Sequence, residues 1–248
     1  MKAYSLTDIG RMRKVNQDSL FCSTEPVGPL PNLLFVADGM GGHKAGDFAS
    51  RYLTEHLPEE IRKYTEGEPN TILSRAVEAV NRDIYRLSRE NPELEGMGTT
   101  FVAAVVRDNV LCAANIGDSR LYRITQDGMF QVTRDHSYVE EMVSRGLMVR
   151  GSEEYMKRRN IITRAVGIGD SVNADFFEVE LSPGDLLLLC SDGLSNMVDH
   201  STLYRLALLP DTLEHRAAAM IAAANQNGGR DNIAVVLADP QISEVNAL

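Results

Sequence analysis

No stretch of this sequence is apolar for long enough to cross a bilayer. The longest such run, AAAMIAAA at 217–224, falls well short of the roughly 20 residues a spanning helix needs, and MKAYSLTDIGRMRK at the start lacks the apolar core of a secretion signal. A surplus of positive charge is missing too. With 25 Lys and Arg against 35 Asp and Glu the formal net charge is −10, which argues against a general nucleic-acid binder. Cysteine is scarce: Cys22, Cys112 and Cys190 each stand alone in an apolar stretch, and no C-x-x-C pair suggests zinc or thiol exchange. They read as reduced core thiols of a cytoplasmic protein. Internal repeats, low-complexity tracts and linkers are also absent, so residues 1–248 are expected to form one domain.

What is present is an ordinary globular composition, 44% hydrophobic and 24% charged. Periodicity predicts strands at 3–7, 19–23, 33–37, 99–107, 110–116, 120–124, 129–133, 174–181, 185–190 and 232–238. QDG at 126–128 and SPGD at 182–185 supply turns. Two helical stretches lie between the third and fourth strands; in the second, Leu73, Ala76, Val77, Val80, Ile84 and Leu87 share one face, after EPN as a start. Further helices are expected at 138–145 and 212–226. Strands joined by short turns, with helices inserted in blocks, predict an α+β fold of antiparallel sheets covered by helices.

Four aspartates share a local grammar: Asp38 in VADG, Asp118 in IGDS, Asp192 in CSDG and Asp231 in GRDN. Any one alone reads as a turn former, as QDG does. Four from distant stretches, brought to one point, would repel each other unless a cation neutralised them. An all-oxygen donor set with no Cys or His at zinc spacing suits Mg²⁺ or Mn²⁺ better than zinc or iron. The glycines of GMGG at 39–42 do not make a phosphate loop, because the G-x-x-x-x-G-K-[ST] pattern is absent; Gly39 would instead let its own carbonyl approach an ion. A last feature is the segment 145–164, with six basic and two acidic residues, a local +4. It reads either as a solvated loop or as a mobile flap that steers an anionic substrate.

Taken in order, RKVNQD at 13–18, VADGMGG at 36–42, GTT at 98–100, IGDSR at 116–120, TRDHS at 133–137, ITRAVG at 162–167, CSDG at 190–193 and GGRDNIAVV at 228–236 resemble the motifs of bacterial-type metal-dependent protein phosphatases, the protein phosphatase 2C family. The resemblance spans residues 10–238. It implies two stacked antiparallel sheets flanked by helices on both sides, with a flap near 145–164. It also implies a phosphoprotein phosphohydrolase that removes phosphate from phosphoserine and phosphothreonine, using two core Mn²⁺ or Mg²⁺ ions and room for a third. By position, Asp38 would bridge the two ions, Gly39 would offer its carbonyl to one, and Asp192 and Asp231 would complete the other. Asp118 with Asp192 would hold the third, and Arg13 would grip the substrate phosphate.

The chemistry expected of such a pair is attack on phosphorus by a shared water held as hydroxide, without a phosphoenzyme. A guanidinium at Arg13 would match two phosphate oxygens at once; without the motif it would read as a surface charge. Two departures from relatives matter. Gln17 stands where some have glutamate, so water-mediated support of an ion would pass to Asp18 or solvent. Met40 stands where some have histidine after the Asp-Gly pair, which leaves metal-bound water or His43 as the general acid. His136 reads as a structural residue of the turn before 138–145. Ser119, Ser137 and Ser191 lack a Ser-His-Asp setting, and no cysteine starts a C-x-x-x-x-x-R signature. The expected partners are phosphorylated proteins made by Ser/Thr kinases, with no nucleic acid or membrane, met by a monomer. A hydrolase of small phosphorylated metabolites or phosphodiesters, and a binding protein that has lost catalysis, are the competing readings.

Overall fold

The structure, a computed structural model, describes residues 1–42 and 45–241. Two antiparallel sheets stack face to face. One has the strand order β1 (Lys2–Asp8), β11 (Ile233–Asp239), β10 (Leu186–Cys190), β7 (Arg120–Thr125) and β8 (Gly128–Gln131). The other runs β2 (Asp18–Ser23), β3 (Leu33–Met40), β5 (Phe101–Arg107), β6 (Val110–Ile116) and β9 (Asp175–Glu180), with the short β4 (Gly98–Thr99) paired to the end of β3.

Three apolar layers follow from strand alternation. In β3, Leu33, Phe35 and Ala37 face the helices α1 (Ala45–Ile61) and α2 (Pro69–Glu90), while Leu34 and Val36 enter the layer between the sheets. In β10, Leu187 and Leu189 enter that same layer from the other sheet, and Leu186, Leu188 and Cys190 face α5 (Asp192–Ser195), α6 (His200–Ala207) and α7 (Leu213–Gln226). Both strands are buried on two faces, which is why LLFVA and LLLLC are unbroken apolar runs. The arrangement is the helix-sheet-sheet-helix sandwich that the resemblance implied.

The expected elements recur within a few residues of their bounds, with informative exceptions. The run 99–107 is two strands, because Thr99 exchanges backbone hydrogen bonds with Val166 and Thr100 donates its N–H to the Asp38 carbonyl. The strand expected at 33–37 continues to Met40, since β4 gives Gly39 and Met40 their partners. Helix α2 begins at Pro69 after Glu68, and α7 is capped by the Thr212 hydroxyl accepting from the His215 N–H. Helices α5 and α6, and α4 (Glu153–Arg158) inside the basic segment, were not anticipated; at four to eight residues they are too short to show a periodicity. Of the three free thiols, Cys112 and Cys190 are buried and Cys22 is only half-buried.

Candidate active site

One rim of the inter-sheet layer is polar. Asp38 follows Leu34 and Val36 by one further strand period, and Asp18 of β2 is its direct cross-strand partner. The opposite sheet contributes Ser191, just past β10, and Asn232, just before β11. The Ser191 hydroxyl donates to Asp18 Oδ2 at 2.7 Å and accepts from the Ala234 N–H at 2.9 Å, so it ties the two sheets together at the rim. Asn232 is buried; its Nδ2 donates to the carbonyls of Ile9 and Val15 at 2.9 and 3.0 Å, and its Oδ1 accepts from the Gln17 N–H at 2.9 Å. Between Asp192 and Asp231 the approach depends on Gly193, whose added Cβ would lie 1.8 Å from the Asn232 carbonyl.

The carboxylates feel one another. Burial first, and then the charges of Asp18, Asp192, Asp118 and Asp231, raise the Asp38 carboxyl well above the usual range. Burial pushes Asp18 up to about 7, with Asp192 and Asp231 adding to it and the Ser191 hydroxyl opposing. Asp118 is pushed up to about 8 by burial, Asp192 and Asp135, against the pull of Arg120. Asp192 is raised to about 6 by burial and Asp231, opposed by Arg120, Arg159 and Arg13. Asp38, Asp118, Asp192 and Asp231, distant in sequence, thus lie close enough to act on one another, and Asp18, the cross-strand partner of Asp38, lies among them.

Oxygen donors from five chain segments suit a hard divalent cation in kind, and Asp118 Oδ1 is buried with no hydrogen-bond partner. Among the described residues, however, no three His, Cys, Asp or Glu side chains stand as a ready ligand cage. Three of the acids turn an oxygen to a protein donor instead: Asp231 Oδ2 to Arg13 at 2.7 Å, Asp192 Oδ2 to Asn196 at 2.9 Å, Asp18 Oδ2 to Ser191. Arg13, half-exposed and expected to grip the substrate phosphate, sits at the lip of the cluster, paired with Asp231.

Next to Asp118 and Asp192 lies a cavity of about 170 Å³, lined also by Arg120, Asp135, Tyr155 and Arg159. The last two belong to the basic segment 145–164, which is neither a featureless loop nor detached. Buried Glu140 of α3 (Tyr138–Ser144) accepts from the Tyr155 hydroxyl at 2.8 Å and pairs with Arg150 at 2.6 Å, so α4 is latched to α3. Segment 145–164 returns where Thr163 donates its N–H to the His136 carbonyl.

The remaining candidates take these places. An added Cβ at Gly39 would lie 2.2 Å from the Gly46 carbonyl, so close packing of β3 on the start of α1 already requires this glycine. Gln17 Nε2 is buried without a partner, against Gly46. His136 Nδ1 accepts from the Gly117 N–H at 3.1 Å and Nε2 lies 3.1 Å from Asp175, the structural role expected of it; burial lowers its pKa while Asp175 opposes. Ser137 caps α3, and Ser119 is bonded to Thr100. His43 lies outside the described residues. Asn232 and the Arg120–Asp135 pair are parts of this region that the sequence did not single out, and Ser191 was considered there only as a nucleophile; Arg-Asp-Asn and Ser-Asp were read for their aspartates.

Comparison with known proteins now bears on this geometry. Residues 11–238 match the family model for Protein phosphatase 2C. The chain belongs to the protein phosphatase 2C family. It is 38% identical to the serine/threonine phosphatase stp of Listeria innocua, with 98% of each chain covered. The solved structure of serine/threonine phosphatase Stp1 from Staphylococcus aureus superposes with a TM-score of 0.88 at 33% identity, covering 98% of this chain and 95% of that one. The catalytic domain of serine threonine protein phosphatase PstP, solved in complex with two manganese ions, matches with a TM-score of 0.83 at 34% identity over 96% of this chain and 97% of that one.

Proposed function

We propose that this chain is a divalent-metal-dependent protein phosphatase that hydrolyses phosphoserine and phosphothreonine in proteins, the products of Ser/Thr kinases. The observation that carries the reading is the convergence of Asp18, Asp38, Asp118, Asp192 and Asp231 from both sheets on one partly buried rim with little cationic charge to balance them. Asp38, Asp192, Asp231 and the Gly39 carbonyl would hold two Mn²⁺ or Mg²⁺ ions, Asp118 with Asp192 a third, and Asp18 would support Asp38 from behind. When bound, such cations supply positive charge to a phosphoryl oxygen and lower the pKa of water.

The chain's own residues do the rest. A guanidinium carries five N–H donors, and the contact with Asp231 uses a single nitrogen of Arg13, so the same side chain can orient a phosphate at the lip. Ser191 fixes Asp18 and with it the spacing of the sheets. Met40, a thioether, donates no proton to the leaving oxygen. Among the described residues no helix is long and apolar enough to cross a membrane.

The test is phosphate release from a phosphothreonine peptide with Mn²⁺. Activity is expected to vanish in EDTA and to fall at least about 100-fold in Asp38→Asn. A folded Asp38→Asn protein with normal turnover refutes the assignment.

A further inference from the structure

The loop that joins β1 to β2 carries more than Arg13. Its residues 9–15, IGRMRKV, hold three cations and no acid in a chain of net charge −10. Three apolar side chains in it face water: Met12 is 71% exposed, and Ile9 and Val15 are 39% exposed. Slackness does not explain this exposure. The Gly229 carbonyl accepts from the N–H groups of Arg11 and Met12 at 2.7 and 3.2 Å, and Asn232 grips the carbonyls of Ile9 and Val15. Gly10 has a φ of 78°, and a Cβ there would lie 2.2 Å from the Asp231 carbonyl. The loop is thus clamped onto the segment that carries Asp231 and still presents a flexible thioether outward. Beside it runs a groove of about 320 Å³, lined by Met12, Arg13, Lys14, Val15, Gln17 and Gly41.

We infer that this groove receives the residues flanking the phosphorylated one in a protein substrate, an apolar side chain on Met12 and Val15 and an acidic one beside Lys14. The inference rests on the protein phosphatase reading and names the sequence class that site prefers. Two observations commit it to this occupant. The groove shares Arg13 with the phosphate position, and an extended chain advances only about 3.3 Å per residue, so the neighbours of a phosphoresidue on Arg13 reach Met12 and Lys14. Lys14, the cation that lines the groove besides Arg13, selects an acidic side chain, and the Met12 thioether packs against apolar side chains of varied shape.

Three phosphothreonine peptides decide it, flanked by Leu and Glu, by Gly alone, or by Leu and Lys, each assayed with Mn²⁺. The wild-type protein is expected to favour the Leu/Glu peptide over the Gly peptide by about fivefold in kcat/KM. In Met12→Ser that ratio should fall at least about twofold, the part supplied by Lys14 remaining, in Met12→Leu it should persist, and Lys14→Glu should reverse the choice between Glu and Lys. Ratios taken within each variant cancel any general change in turnover. Equal rates on all three peptides, or an unchanged ratio in Met12→Ser, overturn the groove alone. A wild-type protein that hydrolyses p-nitrophenyl phosphate but none of the peptides overturns the protein phosphatase reading, and the groove with it.

Discussion

Asp118 is 6% exposed, one of its oxygens has no partner, and its carboxyl is pushed from 3.8 up to about 8 by burial and by the neighbouring Asp192 and Asp135. In the metal-free protein at pH 7 the folded chain therefore keeps a proton that the unfolded chain has lost. The native state binds more protons, so stability falls as pH rises from the unfolded value of 3.8 through the folded value of about 8. The slope is about 1.4 kcal/mol per pH unit, which amounts to about 4 kcal/mol by pH 7. Asn has the shape of Asp and does not ionise. Asp118→Asn is expected to stabilise the metal-free protein at pH 7 by up to that amount, roughly 10 °C in Tm for a chain of this size, and by almost nothing at pH 4. Turnover should be impaired at the same time, with the core ions still bound. Thermal and urea melts in EDTA at several pH values between 4 and 8 measure the first effect, and metal analysis of the Mn²⁺-loaded variant measures the second. A variant whose stability follows the same pH slope as the parent, or that is weaker at pH 7, refutes the electrostatic reasoning.

Arg13→Ala should raise KM for phosphopeptides at least tenfold while changing stability by less than about 1 kcal/mol, because its ion pair with Asp231 is half-exposed; unchanged kinetics removes Arg13 from the site. Asn232→Ala deletes three hydrogen bonds in a buried position and is expected to cost about 2–3 kcal/mol in urea denaturation, with activity falling as the loop at 9–15 loses its clamp. Tyr155→Phe removes the hydroxyl that holds Glu140. Faster limited proteolysis within 145–164 is the expected result, and an unaltered cleavage rate would show that the latch does not restrain the segment.

The parts of this molecule that were legible in the sequence are those with a local signature. LLFVA and LLLLC announce strands because they are buried on both faces, and the α2 stripe from Leu73 to Leu87 announces a helix because it is buried on one. The acids were legible because each sits where an apolar run meets a turn, in or within two residues of a strand. What escaped is tertiary in origin. Ser191 matters because a strand of the other sheet brings Asp18 to it, and no local pattern marks a serine for that. Asn232 reads as one more loop amide until the chain ends it joins, 215 residues and more away, are seen beside it. The packing demand on Gly39 likewise comes from Gly46, across the junction of a strand and a helix.

The placement of the acids explains why protonation or cations, and not relaxation of the chain, must relieve their repulsion. Asp18 and Asp38 are paired across adjacent strands in a fixed register, so they cannot part without breaking the ladder between β2 and β3. Asp192 and Asp231 are held by the approach of Gly193 to Asn232, which leaves no room for even one carbon of slack. Arg13 donates to Asp231 from a half-exposed position, and Arg120, which lines the cavity beside Asp118 and Asp192, is turned to Asp135 by contacts of 2.7 to 3.1 Å. Among the described residues, Arg13 on Asp231 is thus the direct ion pair these carboxylates receive, and they are fixed in and beside the strands of both sheets. The resulting deficit of positive charge is the property that divalent ions would satisfy, and only with it satisfied would the site accept a phosphate anion.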